Sequence, residues 1–493
     1  MKKYDLVVIG GGPSGYAAAM RALDFKKKVL LIEKNQLGGA GVTNGALSSK
    51  TWWELSRETS AFHRSLHRYN IKAPSLNFKE IKAEVLKAVK ERKDLLKDHL
   101  TKLQSDEIKS DLEFIKGSAR LISQHEVEII SGAKKEVVHA SFIILATGSR
   151  PRFLPELPID EKIVMTSDGI EDMEDFPESM VIVGAGVIGC EFATIFSGFG
   201  KTKVHLIDKG DRILPFEDDD VVKIIERNME NNGVLIHRKS RLVKMNVVNG
   251  RVEYELEYDN GTREIFNVEK ALVSVGRVPN FEDLWDESLN IKMTSRGIEN
   301  DDTQTSVSNI YAVGDLTADI SLVNVGELEG RYAVERIFGK PKRKLVYENI
   351  STIMFLNPEV AGVGLNETQA QKDGIDYKVV TLEYSTIPRA IAKRNTQGFI
   401  KLLVTNDEVM KILGMKVVGN HASSAIQAVA VLISMDRGIE ELAECVHPHP
   451  SITEGIQECV RMLMGISLLK PSALRGKLSC RRCVKCDYED ITF

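Results

Sequence analysis

The chain has no long hydrophobic run: nowhere in its 493 residues do apolar side chains approach the roughly 18 in a row that a membrane-spanning helix requires. It has no surplus of one charge either. Sixty-six lysines and arginines stand against 70 aspartates and glutamates, a formal net charge of −4, so there is no basic field to draw in nucleic acid or anionic lipid. No export signal is expected, because the apolar stretch Leu6-Val7-Val8-Ile9 behind Met1-Lys2-Lys3 stops at Gly10-Gly11-Gly12-Pro13. Cysteine is scarce: six in a chain expected to lack an export signal point to thiols, ligands or redox groups rather than a disulfide framework. The expectation is a cytoplasmic protein with a small-molecule partner, no nucleic acid and no membrane insertion.

A chain of this length, 43% hydrophobic and 28% charged, is too long for one core and should divide into roughly three domains of about 150 residues. Tyr4–Gly10 and Lys28–Ile32 are short runs rich in β-branched residues, and Ser14–Phe25 between them places Ala and Met at helical spacing, which together read as a βαβ unit. The pattern returns at Met180–Gly184, Val187–Ser197 and Val204–Ile207. Between the two units, Phe78, Ile81, Val85, Leu86, Val89, Leu95, Leu96, Leu100 and Leu103 mark one long amphipathic helix. Beyond Tyr347 the alternating runs Phe399–Val404 and Ile412–Val418, and the helical stretch Ala425–Met435, predict a separate α+β domain. After Met464 the pattern turns irregular and basic, and a mobile tail is expected.

In the first unit Gly10-x-Gly12-x-x-Gly15 lies between strand and helix, where glycines permit a tight turn and backbone amides meet a pyrophosphate at the helix dipole. Glu33 ends the second strand, placed for ribose hydroxyls. The second unit has Gly184-x-Gly186-x-x-Gly189 and Asp208, whose charge accepts a free 2′-hydroxyl and repels a 2′-phosphate. That favours NAD(H) over NADP(H), with Lys209 and Arg212 near enough to soften the preference. Ile143–Arg150 and Ile310–Asp315 end strands in small residues, and Asp315 suits hydroxyls of a ribityl chain.

GGGPSG, ATGSRP, GAGVIGCE, SVGRVPN and YAVGD, in this order, resemble the pyridine nucleotide–disulfide oxidoreductases, and Asn357–Ala361 and His447–Glu454 resemble that family's dimerisation motifs. The resemblance implies an α/β protein working as a homodimer, with two Rossmann-like dinucleotide-binding domains and a C-terminal α+β dimerisation domain. On this reading 1–150 with 278–345 bind FAD, 151–277 bind NAD, 346–465 form the interface domain and 466–493 a cysteine-containing basic tail. Gly10, Gly12, Pro13, Ser14, Gly15, Glu33, Lys34, Gly39, Lys50, Ala119, Thr147, Gly148, Ser149, Gly314 and Asp315 would hold FAD. Gly184, Gly186, Val187, Ile188, Gly189, Glu191, Asp208, Val275, Gly276 and Arg277 would hold the nicotinamide nucleotide. Lys50 is similar to the family's lysine near flavin N5, Glu191 to the glutamate that pairs with it, and His449 and Glu454 to the acid–base pair that arrives from the opposite subunit.

In one respect the chain departs from that pattern. Where the family has Gly-Gly-x-Cys, four residues and a second Cys, this sequence reads Gly38-Gly39-Ala40-Gly41-Val42-Thr43-Asn44-Gly45-Ala46, with Gly41 and Ala46 at the cysteine positions. Dihydrolipoamide dehydrogenase activity by the usual route is then not expected. The lost sulfurs should leave space that a flat acceptor or neighbouring side chains would fill, with Trp52 and Trp53 near enough in sequence to stack on a ligand. The expected function is FAD-dependent transfer of hydride from NAD(P)H to a non-disulfide acceptor, quinone-like or a second nicotinamide. Two alternatives stay open. Cys480, Cys483 and Cys486, flanked by Lys477, Arg481, Arg482 and Lys485, would serve a disulfide or metal-ion reductase, their thiols acidified by those charges. The other alternative is a flavin-binding subunit without turnover. No metal site is expected, since the tail lacks a fourth ligand.

Overall fold

Apolar residues in the first run point to both faces, the signature of a strand buried inside a parallel sheet, and in the computed structural model Leu6, Val7 and Val8 are fully buried. The structure describes residues 1–69, 75–105, 108 and 110–491, which form two compact units. One comprises 1–177, 245–253 and 267–345; the other comprises 178–244, 254–266 and 346 to the C-terminus.

In the first unit, β1 (Lys3–Ile9), α1 (Pro13–Asp24) and β2 (Val29–Glu33) are the expected βαβ unit. After β2 come α2 (Gly39–Val42), α3 (Ala46–Tyr69) and α4 (Phe78–Leu103), then β3 (Leu112–Lys116), β4 (Ser118–Leu121), β5 (Glu126–Ser131) and β6 (Lys134–Leu145). The sheet runs β3-β2-β1-β6-β5-β4, with the strand Ile310–Ala312 also on β6. β1 is parallel to β2 and to β6, in the registers Leu6↔Val29 and Leu6↔Phe142. That register brings the ends of β1, β6 and Ile310–Ala312 to one edge, so their loops share an end of the sheet. The long helix forms as predicted, capped by the side chain of Asn77. Its stripe is narrower than expected: Phe78, Val85, Val89, Leu96 and Leu100 are buried, whereas Leu86 and Leu95 lie on the solvent side.

In the second unit, the strands Ser179–Val183, Lys203–Ile207 and Leu235–His237 lie parallel, joined by α5 (Val187–Phe199) and, further on, α6 (Asp219–Asn231). Its C-terminal part is a seven-stranded sheet in the order Thr352–Met354, Val360–Gly364, Ile412–Val418, Phe399–Thr405, Tyr377–Glu383, Leu478–Val484, Asp487–Asp490. The central strand Phe399–Thr405 is buried along nearly its whole length and carries Lys401 at 1% exposure. That burial is tolerated because Asp218, Asp220 and Glu367 stand 3.1, 2.6 and 2.6 Å from its Nζ.

The tail differs from expectation. Leu478–Val484 and Asp487–Asp490 form a hairpin that extends this sheet, with Val380↔Cys480 and Tyr377↔Cys483 as neighbours. Side chains along the strand alternate between its two faces: Leu478 and Cys480 enter the large core with Val380 and Leu382, and Cys483, an odd number of residues further on, enters a smaller one with Tyr377, Val379 and Leu403. Between these residues, Arg481 lies 4.4 Å over the Tyr488 ring, and Tyr488 donates to Glu367 at 2.8 Å. Among the described residues no helix is long and apolar enough to cross a membrane.

Candidate active site

β1 leads directly into the loop 10–12. Gly10 has φ +111°, and a Cβ there would sit 2.2 Å from the Ala146 carbonyl oxygen, so only glycine fits. At Gly15 a Cβ would meet the Gly10 carbonyl oxygen at 1.9 Å, which is why α1 can lie against its own loop. Gly12 is different: it is the N-cap of α1, no side chain caps the helix, and a Cβ there would have no neighbour within 4 Å. Behind Pro13, the first turn therefore presents backbone amides and the positive end of the helix dipole on an unobstructed side, the arrangement a pyrophosphate needs. Glu33 accepts from the amides of Gly11 at 2.7 Å and Asn35 at 2.6 Å, fixing its carboxylate at the edge of the loop. Lys34 beside it is exposed.

The second loop repeats the design. Gly184 has φ +103°, Gly186 caps α5 with no atom within 4 Å of a Cβ, and Val187, Ile188 and Gly189 form the first turn of the helix. Asp208 accepts from the amides of Ala185 at 2.7 Å and Gly210 at 2.8 Å. Arg212 is engaged elsewhere: it pairs with Asp219 and donates to the carbonyls of Pro215 at 3.0 Å and Glu217 at 2.8 Å. Glu191, buried on α5, accepts from the amide of Phe355 at 3.0 Å.

The segment after β2 folds back on the first loop. The Gly38 amide donates to the Gly11 carbonyl at 2.8 Å, and a Cβ on Gly39 would stand 3.1 Å from the Gly12 Cα. Gly41 then rests on Pro13: a Cβ would meet the ring Cγ at 2.5 Å, with Val323 of α7 (Val323–Phe338) 3.6 Å away. Space expected to be vacated at this position is occupied by the proline. Lys50 lies on α3, its Nζ 3.3 Å from Ser49 Oγ. Trp52 and Trp53 are buried, Trp52 5.6 Å from the Phe78 ring and Trp53 under the Arg57 guanidinium, so both pack within the protein.

At the ends of β6 and Ile310–Ala312, Thr147 Oγ1 donates to the Asn280 carbonyl at 2.5 Å, and Asn280 returns a bond to the Thr147 carbonyl at 3.0 Å. The Gly148 carbonyl accepts the Asn280 amide at 2.9 Å. Ser149 donates to Asp315 Oδ2 at 2.7 Å, and the Gly314 amide donates to the buried Glu329 at 2.6 Å. Arg277, expected with the second nucleotide, is bonded instead to Ser149. Gly276 beside it has φ +106° and accepts the Arg152 amide, while Val275 is half-buried just before it. Ser14 is enclosed by Gly314 and Gly330, and Ala119 packs on β4 against the sheet core opposite Ile129.

His449 Nδ1 lies 2.7 Å from Glu454. Burial pulls the Glu454 carboxyl upward, but the Ser451 amide and His449 outweigh it and hold the group below its usual range. The carboxylate is therefore the acceptor in this pair. The tail thiols do not assemble. Three residues apart on a strand, Cys480 and Cys483 face opposite sides, Cys486 is exposed in the turn, and burial pushes the Cys480 thiol up to about 11, opposite to the acidification expected from its basic flanks.

Two half-buried carboxyls are marked by no sequence pattern. Burial raises Asp168, against the pull of Arg277, and raises Glu171, against the pull of Ser48 and Lys82. Only the fold brings the turn 168–172 to α3 and Arg277. Among the described residues, no group of three or more His, Cys, Asp or Glu is placed to hold a metal ion.

Two open helix N-termini, each backed by glycines and flanked by an acid anchored on its loop, define a protein built to bind two dinucleotides. The chain belongs to the pyridine nucleotide-disulphide oxidoreductases, whose profile matches residues 4–330 and whose dimerisation domain matches residues 350–460. It is accordingly an oxidoreductase of an FAD-binding family that uses nicotinamide nucleotides, and it carries the domain through which the family dimerises. A dihydrolipoyl dehydrogenase of Bacillus subtilis is 32% identical over 92% of this chain and 97% of its own length. Leghemoglobin reductase of Glycine max is 30% identical over 92% and 86%. In fold, LpdA of Mycobacterium tuberculosis superposes with a TM-score of 0.86 at 24% identity, covering 94% of this chain and all of that one.

Proposed function

We propose that this protein is an FAD-dependent NADH oxidoreductase whose acceptor is not a disulfide of its own chain but a small molecule, quinone-like or a second nicotinamide. The observation that carries the reading is Gly41 seated on Pro13, where a side chain has no room, with Ala46 at the other position that resembles a family cysteine. The alternative dithiol in the tail loses its support, since Cys480 and Cys483 are buried on opposite faces of one strand. For the same reason we propose that the chain does not act as a dihydrolipoamide dehydrogenase, although curated relatives carry that name.

FAD, when bound, supplies two-electron chemistry between nicotinamide and acceptor. The first turn of α1 and the Glu33 carboxylate would hold its pyrophosphate and ribose, and Asp315 its ribityl chain. Asp208 and the first turn of α5 would hold the nicotinamide nucleotide. Arg212, committed to Asp219 and two carbonyls, has no free donor pair for a 2′-phosphate, which supports NADH over NADPH. Lys50 would set the charge around the flavin ring. His449, oriented by Glu454, would pass a proton to the acceptor within a homodimer.

Anaerobic titration of the holoprotein with each nucleotide tests this. NADH should bleach the flavin at lower concentration than NADPH, without a long-wavelength thiolate-to-flavin band, and quinone should restore the oxidised spectrum. A charge-transfer band that persists when Cys480, Cys483 and Cys486 are all serine would refute the non-disulfide acceptor.

A further inference from the structure

Arg277 opens the strand Arg277–Pro279, which pairs antiparallel with β7 (Ser149–Pro151) in the register Arg277↔Pro151, Val278↔Arg150, Pro279↔Ser149. This pairing sets its side chain along the ribbon toward Ser149. Nε donates to Ser149 Oγ at 2.8 Å and Nη2 donates to the Ser149 carbonyl at 2.7 Å, so two prongs of the guanidinium hold one residue. Having accepted from Arg277, the Ser149 hydroxyl turns its own proton to Asp315 Oδ2 at 2.7 Å. Arg277 Nε itself is 4.0 Å from that oxygen. On its other side the guanidinium draws on the Asp168 carboxyl.

We infer that Arg277 is a positioning residue for FAD, acting through Ser149 on Asp315, and not a contact for the nicotinamide nucleotide. This rests on the reading that Asp315 holds the ribityl chain. The mechanism is selection of one oxygen: Oδ2 is committed to Ser149, so Oδ1, which has no hydrogen-bond partner among the described residues, is the one turned to the cofactor. A neutral side chain at 277 would free Ser149 to rotate, and would leave Asp168 and Asp315 without the cation near them.

The test uses holoprotein with no nicotinamide and no acceptor present, so that it stands whether or not the acceptor assignment does. Flavin release on dilution and the flavin midpoint potential against a reference dye are measured for R277M, R277K and S149A. R277M should bind FAD about tenfold more weakly, the equivalent of one charge-assisted hydrogen bond, and shift the potential negative because a cation has gone. R277K should recover the potential but not the retention, since an ammonium cannot hold both Ser149 atoms. S149A should lose retention with a potential near that of the wild type. R277M with wild-type retention and potential overturns the inference. If R277M does not fold, S149A decides, and unchanged retention there overturns it.

Discussion

Gly41 is the position where the proposed chemistry and the packing can be separated most sharply. Its substitution by alanine places a carbon 2.5 Å from Pro13 Cγ and 3.2 Å from Cδ, whereas non-bonded carbons rest about 3.5–4.0 Å apart. The ring can answer only with a change of pucker, and Pro13 is the first residue of α1, so the remaining relief must come from moving α2 or the start of α1. Overpacking of this kind costs roughly 1–3 kcal/mol, and the better helix propensity of alanine returns up to about 1 kcal/mol. The net loss of up to about 2 kcal/mol corresponds to a fall in Tm of up to roughly 8 °C for a unit of this size. Because α1 presents the pyrophosphate-binding turn, the same displacement should weaken flavin retention. The assay is thermal melting of the holoprotein, followed by separation of free from bound FAD. G41C should be at least as damaged as G41A, whereas A46C, which adds a sulfur to a Cβ already present, should lose less. If G41A and G41C melt with the wild type and keep their flavin, there is room for a thiol at position 41 and the argument from packing fails.

Replacing Cys480, Cys483 and Cys486 together by serine should leave NADH-to-quinone turnover unchanged within about twofold, because no two of them share a face; a loss of turnover without a loss of folding would restore the dithiol alternative. K401M removes the cation from a buried set of carboxylates and should cost about 3–5 kcal/mol, with faster amide exchange in 478–490, since Tyr488 of the hairpin bonds to Glu367 of that set; unaltered exchange there would show that the hairpin is held independently. Burial pulls the imidazole of His205 down to about 4, while the unfolded chain protonates near 6.5. A depressed value means that this contribution to stability is complete above about pH 6.5 and is lost as the pH falls toward 4, so the melting curve of H205F should be flatter than that of the wild type between those limits; parallel curves would refute it.

The two dinucleotide loops were legible in the sequence because everything that makes them is local. The glycines of the turn, the helix that follows and the acid that ends the next strand all lie within a few dozen residues, and the conformational demand at Gly10 is met by one residue type only. Lys401 was not legible: its carboxylates come from Asp218, Asp220 and Glu367, and nothing near Phe399 announces them. In the tail a correct signal was outweighed by a louder one. Lys477, Arg481, Arg482 and Lys485 suggest a solvated segment, while Leu478 and Cys480 already have the alternation of a strand, with the cysteine serving as a small apolar residue.

Arg277 shows where such reading stops. Its motif SVGRVPN lies at the end of the second nucleotide unit, and the family resemblance assigns it to the nicotinamide nucleotide. Which cofactor it serves depends on register, because pairing Pro279 with Ser149 turns the arginine across the ribbon to a serine 128 positions earlier, which in turn holds an aspartate 166 positions later. A residue's neighbours along the chain determine what local structure it joins, but its charge acts on whatever the strand pairing sets opposite it.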